Sequence, residues 1–298
     1  MIRVSAMSKG RIRRSLLYVP GSSDKMLEKA AGVTADAVIL DLEDSVSISE
    51  KETAREKVAR QIGVVRESRK EVMVRVNGMD TAWGIRDLLA ICPCRPDAVI
   101  VPKADERALI VADRILDVLE RENGMNPGSI SLIPLFETAY SIANPLSILQ
   151  VTPRIDGLQL GAEDLTKEME IDRTSQGEEI RYARNQVAAA GKACKLDILD
   201  TPYTGIHDLD GLRRDSITAR QIGFTGKVCI HPSHISVINE VFSPSEAEIA
   251  FARGLLAAYE DGVKAGKGAV MYENKMIDAP VADRAKRVIE KAERIQHS

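Results

Sequence analysis

No run of apolar residues in this chain is long enough to span a bilayer. The basic opening "MIRVSAMSKGRIRR" is followed only by "SLLYVPG", which is too short for a signal core and closes in Pro-Gly. These absences predict no membrane partner and a cytoplasmic address, with a trimmed organellar leader as the alternative. An excess of one charge is also missing. The 41 basic and 44 acidic residues leave a net charge of −3, and the basic ones are scattered, so nucleic acid is not an expected partner. Cysteine is scarce: Cys92, Cys94, Cys194 and Cys229 fit no common zinc spacing, and a chain of 298 residues needs no disulfide staples. Cys92-Pro-Cys94 reads as reduced thiols at a helix end rather than a redox pair. With only four histidines, nitrogen ligands for a metal are few.

What is present is alternation. Eight apolar runs, rich in Val, Ile and Leu, occupy 14–20, 36–44, 71–78, 97–105, 130–138, 155–164, 196–203 and 226–232. Their hydrophobicity is continuous, as in strands covered on both faces, which points to a parallel sheet. Amphipathic stretches lie between them. "SSDKMLEKAAG" opens on Ser and Asp caps, "SEKETAREKVARQI" carries a stripe of Ala54, Val58, Ala59 and Ile62, and "DERALIVADRILDVLERENG" runs from an Asp cap to Asn-Gly. The expected fold is a (β/α)₈ TIM barrel over residues 1–232 that carries the site, with a C-terminal helical extension over 233–298. An open doubly wound sheet is the rival, but no Gly-rich phosphate fingerprint follows the first run. In the extension, "SPSEAEIAF" starts a helix, "KGAVMYENKMIDAP" reads as irregular, and "VADRAKRVIEKAERIQ" is a last amphipathic helix.

Barrel enzymes keep their chemistry at the C-terminal ends of the strands. Here those ends carry Asp41, Glu43 and Asp44; Arg75 and Asn77; Lys103 and Asp105; Glu137; Glu163 and Asp164; Asp200; and His231. So many carboxylates in one cleft require a compensating charge, because like-charge repulsion raises their pKa values. Oxygen donors and few histidines favour Mg²⁺, or Mn²⁺, over zinc. Glu137 and Asp164 are the expected metal ligands, and the planar fork of Arg75 is expected to meet a substrate carboxylate. Glu163, if its strand continues, points away from Asp164 and is left out.

The motifs "RRSLLYVPGSSDKMLEKA", "VILDLEDSV", "VRVNG", "VPKAD", "FETAYSIANP", "LQLGAEDL", "GFTGKVCIHPSHISVINEVFSP" and "NKMIDAP" occur in this order, from Arg14 to Pro280. Together they resemble the citrate lyase beta-subunit-like proteins of the phosphoenolpyruvate/pyruvate barrel superfamily. The resemblance implies a Mg²⁺-dependent carbon–carbon lyase acting on a 3-hydroxyacyl-CoA of the citramalyl, malyl or citryl type, which yields acetyl-CoA and a 2-keto acid. It implies Glu137 and Asp164 as metal ligands, Arg75 at the substrate carboxylate, and Tyr18, Lys25 and Lys29 near CoA. Ile230 and His231 fall by the thioester arm, His231 as a backbone-bonded turn residue. It further implies a homotrimer whose extension contacts a neighbouring subunit and lends Asp278 as general acid–base. Asp41, Glu43 and Asp44 are then expected to order Arg75 and water. "FETA" stands where "IETA" is commoner, and "YSIANP" replaces a Gly-Val form, which bears on the pocket floor. The same residues would serve a malyl-CoA thioesterase, a citrate lyase beta subunit acting on a carrier-protein thioester, or a non-catalytic acyl-CoA or keto-acid binding protein.

Overall fold

The computed structural model describes residues 11–297, so the first ten residues of the basic opening lie outside the described residues. Eight strands follow the eight apolar runs: β1 (Ser15–Pro20), β2 (Ala37–Asp41), β3 (Glu71–Arg75), β4 (Ala98–Val101), β5 (Ser131–Phe136), β6 (Gly157–Leu160), β7 (Asp197–Asp200) and β8 (Gly226–Cys229). They pair in sequence order, and β8 closes onto β1 in parallel register, Ser15 opposite Lys227 and Leu17 opposite Cys229. The structure is therefore the expected (β/α)₈ barrel. The open sheet is excluded by the β1–β8 pairing.

Around the barrel run α1 (Asp24–Ala30), α2 (Lys51–Glu67), α3 (Ala82–Ile91), α4 (Glu106–Glu122), α5 (Ala139–Ala143), α6 (Pro145–Leu149), α7 (Ala162–Glu168), α8 (Arg181–Ala193), α9 (Leu209–Ile222) and α10 (His234–Phe242). Their ends follow local chemistry. Asp105 caps α4 through a 2.7 Å bond from the Ala108 N–H, and α9 stops at Gly223 with φ at +119°. The Ser cap expected on α1 is not made, since Ser23 sits at the N-cap without a side-chain bond to the helix.

Strand parity explains the core. Leu16, Ala37, Ile39, Met73, Ala98, Ile100, Ile133, Leu135, Leu199 and Val228 form one buried cluster, and all share the parity that faces the barrel axis. Their alternates, such as Val38, Val72, Val99 and Ile198, are buried as well, under the helices. Covering both faces gives the continuous apolar runs read in the sequence.

The chain divides into two compact units between Asn239 and Glu240. In the second, α11 (Glu246–Lys264) and α12 (Ala279–Gln296) enclose an apolar cluster that includes Ala252, Leu255, Ile277 and Ala285. A capping box between Ser245 and Glu248 opens α11 as expected. The stretch read as irregular is instead an antiparallel hairpin, β9 (Val270–Tyr272) and β10 (Lys275–Ile277). Its turn residues Glu273 and Asn274 both adopt positive φ, 44° and 61°, the geometry usually marked by Asn-Gly. Among the described residues no helix is long and apolar enough to cross a membrane.

Candidate active site

Continuing the inward parity by two residues past the core layer reaches Tyr18, Asp41, Arg75, Glu137, Thr201 and Ile230. All six line one chamber of about 440 Å³ at the C-terminal end of the barrel, together with Leu135, Gln159, Gly161 and Asp164. The phase that builds the core thus also aims the functional groups.

Asp41 and Arg75 are Cα partners across β2 and β3, so their side chains stand side by side. The Arg75 Nε and Nη2 groups each donate to one Asp41 oxygen at 2.7 Å. Burial opposes ionisation of Asp41, but Arg75 outweighs it and holds the carboxyl below its usual range. Nη1 lies 3.2 Å from Asp44 and 3.1 Å from Glu43. Asp41, Glu43 and Asp44 therefore all stand against Arg75, as expected. Nε and Nη2 are spent on Asp41 and Nη1 on Glu43 and Asp44, so a ligand carboxylate has to compete with these acids for the fork. The guanidinium also lies over the Tyr18 ring, 4.9 Å from its centroid.

Glu137 is 4% exposed and accepts the Lys103 N–H at 2.8 Å through Oε1. Burial, then the neighbouring Glu43 carboxylate, pushes its pKa up to about 8. Burial likewise raises Glu43 to about 7, with Asp44 and Asp41 adding to the rise against the pull of Arg75. The Glu43 Oε2 atom is buried, and its 3.1 Å approach to Arg75 Nη1 is an ion pair without hydrogen-bond geometry. Gly161 permits the approach of β6 to Glu137: a Cβ there would stand 2.8 Å from both Cβ and Oε2 of that glutamate.

Asp164 is not on a strand. β6 ends at Leu160, and Asp164 lies in the first turn of α7, where its carboxylate meets Lys103 Nζ at 2.9 Å. The premise used to set Glu163 aside is therefore wrong. Glu163 diverges from Asp164 by helical rotation and pairs with Arg173 at 3.0 Å. Three other residues of the strand-end ring also do structural work. Asp200 is out of phase with Leu199 and faces outward to Arg184 and Lys227, Asp105 caps α4, and Asn77 bonds Asp87.

Lys25 and Lys29, on one face of α1, line a second cavity of about 290 Å³ with Tyr18, Ile230 and His231. Tyr18 and Ile230 line both cavities. His231 Nδ1 accepts the backbone N–H of Ser233 at 3.3 Å and lies 2.7 Å from the Ser233 hydroxyl, the backbone-bonded turn that was expected. Asp278 lies in the C-terminal unit, where it caps α12 by accepting the Val281 N–H at 3.2 Å.

Sequence reasoning gave no role to Lys103, Gln159 or Gly161. Lys103 lies in the turn after β4, which ends at Val101. Gln159, 2% exposed and bonded to the Tyr18 hydroxyl at 2.9 Å, follows from the inward parity of Leu135, its Cα partner.

The donor set suits a hard divalent cation. Glu137 Oε2 has no hydrogen bond among the described residues, and Asp164 is held only by a half-exposed ammonium. No group of three His, Cys, Asp or Glu side chains able to hold a metal occurs among the described residues. Two carboxylates would leave the other positions to water and substrate, the usual Mg²⁺ arrangement.

Comparison with known proteins agrees with the motifs. The HpcH/HpaI aldolase/citrate lyase model matches residues 14–232. The citrate lyase subunit beta of Leuconostoc mesenteroides is 33% identical over 287 residues, 96% of this chain and 95% of the relative. A (3S)-malyl-CoA thioesterase of Cereibacter sphaeroides is 36% identical over 284 residues, covering 95% of each. The protein CitE of Mycobacterium tuberculosis, solved with magnesium, acetoacetate and coenzyme A, is 30% identical, with a TM-score of 0.76 over 94% of this chain and 97% of that one. With a family model spanning the barrel and relatives a third identical over nearly their whole length, the chain belongs to the HpcH/HpaI aldolase/citrate lyase family, the citrate lyase beta-subunit-like class of lyases.

Proposed function

We propose that the protein is a Mg²⁺-dependent lyase that cleaves a 3-hydroxyacyl-CoA, such as citramalyl-CoA or malyl-CoA, into acetyl-CoA and a 2-keto acid. The observation that carries this reading is the junction of two unlike cavities. An acidic chamber holding Glu137, Asp164 and Arg75 meets a lysine-bearing groove at Tyr18 and Ile230. A molecule with a small oxyacid at one end and a phosphorylated tail at the other matches that division.

Glu137 and Asp164 would hold the metal. Bound there, Mg²⁺ supplies Lewis acidity at the hydroxyl and carboxylate oxygens of the substrate. The Nη1 edge of Arg75, exchanging Glu43 and Asp44 for the ligand, binds the keto-acid carboxylate and orients the bond to be broken, a contribution of positioning rather than proton transfer. Asp41 fixes the Arg75 plane. Tyr18 and Gln159 close the floor and exclude water. Lys25 and Lys29 meet the phosphates of CoA, and Ile230 and His231 flank the thioester arm. Asp278, contributed by a neighbouring subunit of a homotrimer, takes and returns the proton. Removal of the hydroxyl proton breaks the carbon–carbon bond, and the electrons pass to the thioester as its enolate, which is then protonated. Mn²⁺ would serve the same donors.

A second reading is favoured by the 36% identity to the thioesterase: hydrolysis of malyl-CoA on the same residues. One experiment separates them. A panel of CoA thioesters with Mg²⁺ is followed for free thiol and keto acid together. Keto acid without free thiol is the expected result. Free thiol without keto acid supports hydrolysis, and silence toward every CoA ester points to a carrier-bound substrate or a binding protein.

A further inference from the structure

Lys103 stands out beside the acidic chamber because it touches three acids by two different routes. Its backbone N–H donates to Glu137 Oε1 at 2.8 Å. Its ammonium stands 2.9 Å from Asp164 and 3.4 Å from Glu43. The backbone takes φ +46°, the left-handed region that residues with a Cβ seldom occupy. Pro102 suits the first corner of a turn, but lysine is not a residue that favours the left-handed second corner. This conformation turns the N–H toward Glu137 while the side chain crosses to Asp164.

We infer that Lys103 is the positioning residue of the metal centre: its amide fixes the Glu137 carboxylate, and its ammonium holds Asp164 until a divalent cation displaces it. The inference rests on the metal reading above. Without a metal ion, Asp164 has no other cationic partner among the described residues, and the lysine is the charge on a tether. Its side chain is 53% exposed, so the ammonium has open solvent to swing into, unlike Arg75 at 12%. The two functions are separable. Glycine at 103 keeps the N–H and suits the backbone, but deletes the ammonium. Arginine keeps a charge.

Mg²⁺ binding is measured by calorimetry, in the absence of substrate, for the wild type and for Lys103→Gly, Lys103→Met and Lys103→Arg. An ion pair this open to solvent is worth little, so removing the competitor tightens Mg²⁺ by about two- to fivefold in the glycine and methionine variants. Lys103→Arg stays near the wild-type value. Affinity unchanged or weaker in the glycine variant, or the same gain in the arginine variant, overturns the inference. A second measurement needs no variant. Reductive methylation of the wild-type protein, read by peptide mass mapping, labels Lys103 faster with Mg²⁺ present, while Lys25 keeps its rate. Equal labelling of Lys103 with and without metal counts against displacement. A wild-type protein that takes up no Mg²⁺ removes the metal reading and this inference together. One that binds Mg²⁺ like all its variants removes this inference alone.

Discussion

Gly161→Ala isolates one contact from everything else in the chamber. The glycine has φ −111° and ψ 113°, extended values that alanine adopts freely, so backbone strain does not enter. The added methyl would lie 2.8 Å from Glu137 Cβ and Oε2, and 3.1 Å from Leu135 Cδ1. Ordinary contact begins near 3.4 Å, so β6 and the Glu137 side chain must part by 3.4 − 2.8 = 0.6 Å. Overpacking of this size costs about 1–3 kcal/mol of stability, and the weaker N-cap of α7 adds a few tenths. The barrel therefore still folds. The catalytic cost is larger, because a displacement approaching 1 Å at a reacting centre is worth about 100-fold in rate. The variant is expected to retain its circular dichroism and lose only a few degrees in Tm. Its turnover at saturating Mg²⁺ is expected to fall by about 100-fold, with a higher Mg²⁺ requirement. Wild-type turnover with a wild-type Mg²⁺ dependence would show that Glu137 does not need its place, and the metal assignment would fall with it.

Other expectations follow from the same geometry. Asp215, buried against Lys227 and Arg184, is held down at about 2, the two cations outweighing the burial that opposes them. A depressed carboxyl stabilises above its unfolded pKa, so this contribution of about 2 kcal/mol is present at neutral pH and disappears between about pH 4 and pH 2. In urea unfolding, Asp215→Asn should be less stable than the wild type at pH 7, with the gap closing in that window. A constant gap would place its origin elsewhere. Lys25→Ala with Lys29→Ala should raise KM for free CoA esters about tenfold, at roughly 0.7 kcal/mol for each exposed charge, and leave kcat unchanged. An unchanged KM would favour a carrier-bound substrate. Glu137→Ala and Asp278→Asn should each be inactive alone, yet recover partial activity when mixed under conditions of verified subunit exchange. Absence of recovery would show that Asp278 serves no neighbouring site.

Much of the barrel was legible because its strands are apolar on both faces and its helices are not. The strands are shorter than the runs: "IDGLQLGAED" looks like one strand, but only Gly157–Leu160 is one. Gly161 breaks it, and the helix that follows carries Asp164 into the chamber from a different direction than a strand would. Nothing in composition marks that switch. Glu137, Arg75 and Asp41 were found by their place at strand ends, whereas Asp200 was misread by the same rule. The period of two, counted from Leu199, already sends Asp200 outward to Lys227 and Arg184. Lys103 was hidden for another reason. Its part depends on a left-handed backbone, which the sequence does not announce when the residue is neither Gly nor Asn. The β9–β10 hairpin was missed for a related reason: Asn274 suits a left-handed turn, but Glu273 beside it does not.

Leu135 is both a member of the buried cluster inside the barrel and a wall of the chamber, with Gln159 beside it as its Cα partner and Tyr18 packed against the same cluster. The ceiling of the buried core is thus the floor of the chamber. A lineage that carves this floor deeper for a bulkier acid loses cohesion with every methylene it removes, whereas variation at the exposed Lys25 and Lys29 of the groove carries no such penalty. Tails can therefore be exchanged cheaply in this scaffold, and heads cannot.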